Sequence, residues 1–496
     1  MPDLLIRRAR LVSTLAAGDL AATDAPVDVS IVDGVIADVG YQLTRRPGVT
    51  EVNADGRWVM PGLWDKHAHL GQWTAATRRL DFGGTRSPEQ VLALVSARLR
   101  QAPGQPILGA GMRAGLWHTA ASVRALDVVS GDVPVALVNA DLHHAWCNTA
   151  ALDALELPRR EGVVAEAEWF AAYPRLDAIA GSATGPSAYR SVLQDAAARG
   201  IVGIVDLEFE SRWEDWATRW EQGCDVVRIR WGVYPDGLDG VVAAGLTTGD
   251  PLHGRHSQGP NLVMGPLKII SDGSLGTRTA WCCDPYDGEP DNFGARNLDD
   301  VELATLLERA TAAGLQVATH AIGDRALTQA LDCYAATGAR GSIEHAQLVT
   351  KDAVAELARL GLTASVQPAH LLDDREISER VWPDRTSRCF ALGWMRDAGV
   401  DIAFGSDAPV AALDPWLAIY AAVHRIDDEV APWHPEQALT VAEAIAYSVD
   451  RRVVGVGAPG DVVLLDADPI QAEPAQLRSM STALTVVGGR IVHDAS

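Results

Sequence analysis

Pro61-Gly-Leu-Trp-Asp-Lys-His-Ala-His-Leu70 is the stretch that decides the fold. A short run able to form a strand (57–60) leads into it, and His67 and His69 stand two residues apart. In extended backbone, side chains at i and i+2 share a face, so both imidazoles can reach one ion. A lone His-x-His pair is weak, since two such histidines are often surface or core residues. Four further residues, Lys268, His320, His345 and Asp407, each belong to an apolar strand-like run or its end, and together they strengthen the reading.

Working outward, candidate strands fall at 57–66, 201–207, 226–234, 263–271, 314–320, 341–345, 362–367 and 399–406. Most precede helical spacing, as at 298–313, 325–336 and 351–360. Eight parallel strands with crossover helices predict an α/β fold, a (β/α)8 TIM barrel. No Gly-x-Gly-x-x-Gly turn follows an early strand, which counts against a doubly wound sheet. The strand count requires an insertion after the first strand, at about 72–185. It carries a helical run at 87–100, strands near 107–111 and 133–138, and a polar exit before Gly185-Pro186. A helix over 186–199 then resumes the barrel.

Residues 3–55 read as short strands and turns, with Asp33-Gly34 a hairpin signal. The carboxyl end resembles them at 461–466 and 483–492. Neither piece is large enough to bury a core alone. They are expected to pair as one small β-sandwich domain, 1–56 with 453–496, beside a barrel of 57–452.

Apolar residues make up 48% and charged residues 22% of the 496, as in an ordinary folded protein. A net charge of −23 argues against nucleic acid or an anionic membrane as partner. The amino terminus puts its arginines after a very short apolar run, the reverse of a secretory signal. No apolar run approaches the roughly 20 residues of a membrane span. Six cysteines without a Cys-x-x-Cys pair fit a reduced, cytoplasmic setting.

In such a barrel the carboxyl ends of the strands converge on one face, where active sites lie. His67, His69, His320, His345 and Asp407 all belong there, and imidazoles with a carboxylate suit a zinc-like divalent ion. Lys268 is the odd member, because an ammonium would be repelled by divalent cations. Converted by CO2 to a carbamate, it becomes an anionic ligand able to bridge two metals. The alternative is a barrel lysine paired with Asp272.

The set of motifs resembles the amidohydrolase superfamily, in particular the amidohydrolase-3 group. The resemblance is carried by Val59-Met-Pro-Gly-Leu-Trp-Asp-Lys-His-Ala-His, Asp141-Leu-His-His-Ala-Trp-Cys-Asn, Leu267-Lys-Ile-Ile-Ser-Asp-Gly-Ser-Leu-Gly-Thr-Arg-Thr-Ala, Thr319-His-Ala-Ile-Gly-Asp-Arg-Ala, Ile343-Glu-His-Ala-Gln, Gly405-Ser-Asp-Ala-Pro-Val and Val487-Gly-Gly-Arg-Ile-Val. It implies a barrel with a β-sandwich, a carboxylated Lys268, and metal-dependent hydrolysis of non-peptide carbon–nitrogen bonds. Lys66 departs from the small residue usual before the first histidine, but period two points it away from both imidazoles. His144 also departs from a commoner small polar residue.

The expected site holds one ion between His67, His69 and Asp407 and a second between His320 and His345, bridged by Lys268 carbamate; zinc is the expected metal. Coordinated water would fall in pKa from about 15.7 towards 7. Asp407 would take its proton and pass it to the leaving nitrogen. His143 and Trp146 from the insertion, with Asp272, Arg278 and Gln367 after strands four and seven, are the candidate substrate contacts. Each has a plainer alternative: Trp146 as insertion core, Arg278 as a loop ion pair, Gln367 as a turn residue. Trp213, Trp216 and Trp220 read as packing residues.

The expected substrate and partner is a small amide, an N-substituted formamide or N-acyl amine; a homodimer is compatible with the sequence. A deaminase or cyclic-amide hydrolase is the alternative enzyme, disfavoured by Lys268. A non-catalytic interaction protein is the alternative from another class, disfavoured because all six ligands are present.

Overall fold

In the computed structural model, which describes residues 3–15, 25–77, 79–176, 179, 185–209, 211–253, 261–426 and 431–495, the run 57–66 is two strands rather than one. Trp58–Pro61 joins a sheet made from the chain ends, and Leu63–Ala68 opens the barrel. Gly62 makes the break. A Cβ there would lie 2.1 Å from Val202 Cγ1, so only glycine lets the chain change sheets against that neighbour.

The barrel strands are β1 (Leu63–Ala68), β2 (Ile201–Asp206), β3 (Arg228–Val233), β4 (Leu262–Ile270), β5 (Val317–Ala321), β6 (Gly341–His345), β7 (Thr363–Val366) and β8 (Asp401–Phe404). Each pairs in parallel with the next, and a bridge between Ala68 and Ala408 brings β8 back to β1. The expected (β/α)8 barrel is therefore present. Helices cover the outer face, so strands such as β2 and β5 are buried along their whole length. That is why they read as continuous apolar runs rather than alternation.

The covering helices obey local rules. Asp300–Ala312 begins with a capping box, Asp299 accepting the Glu302 N–H at 2.8 Å and Glu302 accepting the Asp299 N–H at 2.7 Å. Asp324–Thr337 and Lys351–Leu360 stop at left-handed glycines, Gly338 (φ +68) and Gly361 (φ +65). On Asp300–Ala312 the buried stripe is Leu303, Leu307 and Ala310, and burying each leucine contributes roughly 1.5–3 kcal/mol.

The second sheet has strand order Arg490–Asp494, Thr482–Val487, Val462–Leu465, Trp58–Pro61, Leu4–Leu11, Val27–Val32 and Val35–Gly40, with Thr50–Asn53 also on Leu4–Leu11. Leu4–Leu11 serves both halves. Its pairing register shifts around Arg8, whose φ is +55, and beyond that bulge Arg10 and Leu11 pair with Trp58 and Val59. Ile6, Val29, Ile31, Leu464, Leu484 and Val486 share one core, so apolar residues from both ends of the chain are buried together.

The segment after β1 starts with helix Leu70–Ala76, then builds its own five-stranded sheet from Leu80–Asp81, Ile107–Met112, Val135–Asn139, His144–Cys147 and Val164–Ala165. The polar exit anticipated before Gly185 lies mostly outside the described residues, and Pro186–Ala198 resumes the barrel. Among the described residues no helix is long and apolar enough to cross a membrane, and none of the six cysteines is paired.

Barrel and terminal sheet are joined by a buried ion cluster. Asp461 receives Arg228 Nε at 2.7 Å and Arg228 Nη2 at 2.8 Å, accepts the Gly488 N–H at 2.8 Å and also pairs with Arg452. Removing one member of such a cluster strands buried charge of the opposite sign. Asp461→Ala should lower unfolding free energy by about 3–5 kcal/mol in urea titration; a loss under about 1 kcal/mol would show that the cluster is solvent-relaxed.

Candidate active site

The strand ends deliver the site. His67 and His69 leave β1 on one face, Lys268 lies in β4, His320 and His345 end β5 and β6, and Asp407 follows β8. All six line one cavity, together with Asp141, His143, Phe170, Phe209, Tyr234, His370 and others. Asp407 Oδ1 is 3.0 Å from His69 Nε2 and 3.3 Å from His67 Nε2, and Lys268 Nζ is 3.3 Å from the same His67 nitrogen. The rings of His320 and His345 lie 4.5 Å apart, and those of His67 and His345 5.1 Å. The six residues singled out from sequence converge on one cavity.

Two of these residues sit on unusual backbone. His345 (φ +70), with Ala346 (φ +41) after it, and Asp407 (φ +56) all adopt positive φ without being glycine. Such conformations cost of order 1–3 kcal/mol each and persist where surroundings impose them. Here they turn the chain sharply at the strand ends and aim both side chains into the cavity.

Carboxylates behind the imidazoles set which nitrogen faces inward. His67 Nδ1 is 2.7 Å from Glu344 Oε2, leaving Nε2 towards Lys268 and Asp407. His320 Nδ1 is 2.8 Å from Asp272 Oδ1, and Asp272 also accepts the backbone N–H groups of Trp281, Ile322 and Gly323. Buried carboxylates of this kind orient metal-binding histidines and raise their basicity.

The chemistry of the donors fits a divalent cation. Burial, reinforced by Lys268, holds His67 down at about 4, and burial with His320 nearby holds His345 well below the ordinary imidazole range. Both rings are thus neutral, with lone pairs to donate. Burial alone would raise Asp407, but the surrounding imidazoles outweigh it and keep the group ionised. Burial lowers Lys268 from the usual lysine value. His69 Nδ1 and His345 Nδ1 are buried without a hydrogen-bond partner among the described residues. Donor atoms of His67, His345 and Asp407 all lie within 4.8 Å of one another, the spacing that one ion can span.

The expected substrate contacts divide. His143 lines the cavity, its Nδ1 3.1 Å from Glu166 Oε2 and its ring 6.5 Å from that of His320. Trp146 does not: its strand alternates, and the ring packs 6.1 Å from Trp117 in the insertion core, its Nε1–H donating to Ser122 O. Asp272 stands behind His320 rather than against substrate, and so is not the partner of Lys268. Gln367 is buried behind His67, 3.4 Å from its Nδ1, and donates to Ser365 O. Arg278 is tied to Glu289 in its own loop. Lys66 pairs with Asp450 on the far side of β1, as period two predicts, and His144 turns to Asp141, 3.4 Å away.

Several contributors were not singled out from sequence. Glu344 directly precedes His345, and a carboxylate inside an apolar strand was the available signal. Asp65, two residues before His67, accepts the N–H groups of His67 and Ser406. Phe209 stacks on His69 at 5.3 Å, on Phe170 at 5.6 Å and on Tyr234 at 4.8 Å, forming an apolar wall. Isolated aromatics drawn from three segments carry no spacing signal.

A parallel barrel with a histidine–carboxylate cluster at its carboxyl face defines a class, the metal-dependent hydrolases. A model of the amidohydrolase family matches residues 50–493, and the chain belongs to that family. It is 27% identical to the YtcJ protein of Bacillus subtilis (strain 168), named as an amidohydrolase, over 94% of this chain and 96% of that one. It is 24% identical to the N-substituted formamide deformylase of Arthrobacter pascens, over 99% and 98%. A crystal structure of a metal-dependent hydrolase of uncharacterized function from Pyrococcus horikoshii OT3 superposes with a TM-score of 0.78 at 25% identity, covering 95% of this chain and 99% of that one.

If Glu344 orients His67 for an ion, Glu344→Gln should weaken metal affinity about 10- to 100-fold in a chelator competition assay. Unchanged affinity would make the Glu344–His67 contact a packing feature only.

Proposed function

We propose that this hydrolase cleaves a non-peptide carbon–nitrogen amide bond in a small molecule, an N-substituted formamide or N-acyl amine. The carrying observation is the convergence of four histidines, Lys268 and Asp407 on one cavity at the carboxyl face of the barrel. Full-length similarity to a formamide deformylase supports the substrate class. His67, His69 and Asp407 would hold one divalent ion, His320 and His345 a second, with Lys268 as carbamate between them and zinc as the metal. When bound, such ions acidify a water and polarise a carbonyl, which makes hydrolysis feasible near neutral pH.

The chain's own groups do the rest. Asp407, held ionised between imidazoles, accepts the proton of the attacking water and returns it to the departing nitrogen, so the amine leaves neutral. His143 has Nδ1 fixed by Glu166, leaving its other nitrogen free to donate to the oxygen on which charge develops. The stack of Phe170, Phe209 and Tyr234 excludes bulk water on one side and strengthens these electrostatic contacts.

Asp407→Asn should retain the fold and lower kcat on N-substituted formamides by about 100- to 10,000-fold. Assay against a panel of formamides and N-acyl amines, with metal content measured on the same samples, checks this. Near-wild-type kcat with metal still bound would remove Asp407 from proton transfer.

A further inference from the structure

The loop Ser274-Leu-Gly-Thr-Arg-Thr279 after β4 lines the cavity with Ser274, Leu275 and Gly276, yet it has no part in the mechanism above. Three of its side chains carry hydroxyls that form a line. Ser274 Oγ is 2.9 Å from Thr277 Oγ1, Thr277 Oγ1 is 2.6 Å from Thr279 Oγ1, and Thr279 Oγ1 donates to Glu166 Oε1 at 3.0 Å. A carboxylate only accepts, and each hydroxyl has one proton to give. The Thr279 proton therefore goes to Glu166, the Thr277 proton to Thr279 and the Ser274 proton to Thr277. The Ser274 backbone N–H also donates to Thr279 Oγ1, at 3.0 Å. Gly273 makes room for this packing, since a Cβ there would stand 1.9 Å from Thr279 Oγ1.

Glu166 stands at the end of this line, in the insertion. Its Oε2 is 3.1 Å from His143 Nδ1, and its own backbone N–H donates to His143 O at 2.8 Å. The two residues extend the antiparallel pairing of His144 with Ala165 by one step. Left-handed backbone without glycine serves both: Leu142, just before His143, has φ +63, and Glu166 itself has φ +52. Neither is a candidate metal ligand, so the strain here answers a separate demand. One turn further along the same helix, Phe170 meets the His143 ring edge-on at 5.1 Å. The ring is thus gripped by a carboxylate and an aromatic side chain. Because Glu166 only accepts, Nδ1 is a protonated nitrogen. A neutral ring would then turn a bare Nε2 to the cavity, able to accept but not to donate. The imidazolium donates from both nitrogens. Burial works against that form, but Glu166, Asp141 and Asp407 outweigh it and hold His143 above the ordinary imidazole range.

We propose that Glu166 is the positioning residue for His143 and that the Ser274–Thr279 loop is its anchor on the barrel. Three hydroxyls in series hold the carboxylate, the carboxylate holds Nδ1–H, and Nε2–H is presented to the substrate oxygen. The effect on turnover rests on the donor role given to His143 above, but the arrangement of protons on its ring does not. The relay aligns the insertion, which supplies His143, with the barrel, which supplies the candidate metal ligands.

The test uses the full-length, zinc-supplemented protein as wild type, Glu166→Gln (same shape, no charge), Thr279→Val and Thr279→Ser, each checked for unchanged melting profile and metal content. With 15N-labelled histidine, the resonances lost in His143→Gln assign its ring. Wild type should show both ring nitrogens of His143 protonated, and Glu166→Gln only one. On the panel of formamides and N-acyl amines, Glu166→Gln should lower kcat about 100-fold with KM little changed, as for a lost oxyanion donor. Thr279→Val should move kcat the same way, and Thr279→Ser, which keeps the hydroxyl, should restore most of the loss. A wild-type ring protonated on one nitrogen, or a signature unchanged in Glu166→Gln, overturns the proposal. So does wild-type kcat in Glu166→Gln where His143→Gln is impaired, which leaves the hydrolase reading in place. Equal loss in Thr279→Val and Thr279→Ser overturns the anchor and makes the loop a space-filling element. Cleavage of no panel amide, with the two-proton signature present in wild type and lost in Glu166→Gln, counts against amide hydrolysis and leaves the relay standing.

Discussion

The structure depends on how its last barrel strand closes against its first. Asp65 in β1 accepts the His67 N–H at 3.0 Å and the Ser406 N–H at 3.1 Å, so one buried carboxylate spans the seam. Either side of it, Asp407 N donates to His67 O at 2.6 Å and His69 N donates to Ala408 O at 2.9 Å. Gly405 allows the approach, because a Cβ there would lie 2.6 Å from His67 N. The seam places His67, His69 and Asp407 at fixed separations, so barrel closure and the geometry of the candidate site are one constraint. Burial raises Asp65 to about 6, against the hydrogen bonds from Ser406 and His67 that favour its charged form. A carboxylate kept in so dry a place is justified by the backbone groups it satisfies.

Around this seam two of the imidazoles are held by carboxylates from behind. Glu344 and Asp272 occupy Nδ1 of His67 and His320, while buried nitrogens of His69 and His345 have no partner among the described residues. Positive φ at His345 and Asp407 adds stored strain at the same place. A purely structural core would relax such features. Their concentration at one end of the barrel is what a site built for a cation requires.

The fold, and the six residues that converge on the cavity, were legible because both leave periodic marks. Buried parallel strands read as apolar runs, and His320 and His345 sit where such runs end, at Val317–Ala321 and Gly341–His345. Where two physical causes overlap, legibility fails. Residues 57–66 read as one strand because apolar character continues through Gly62, although the chain passes there from one sheet to another. Trp146 read as a pocket residue from its motif, but strand alternation turns it into the insertion core. Asp272 and Gln367 were placed on the right face and in the wrong layer, since sequence does not tell a group touching substrate from one touching a histidine. The Phe170–Phe209–Tyr234 wall arises only from tertiary proximity.

Metal content per chain, measured by elemental analysis on wild type and Lys268→Ala after identical zinc supplementation, tests the central claim most directly. Two equivalents in wild type, falling in the variant, are the result expected of a lysine-bridged pair of ions. One equivalent in both proteins would make Lys268 structural and contradict the bridged site, and no metal in either would contradict the hydrolase mechanism itself.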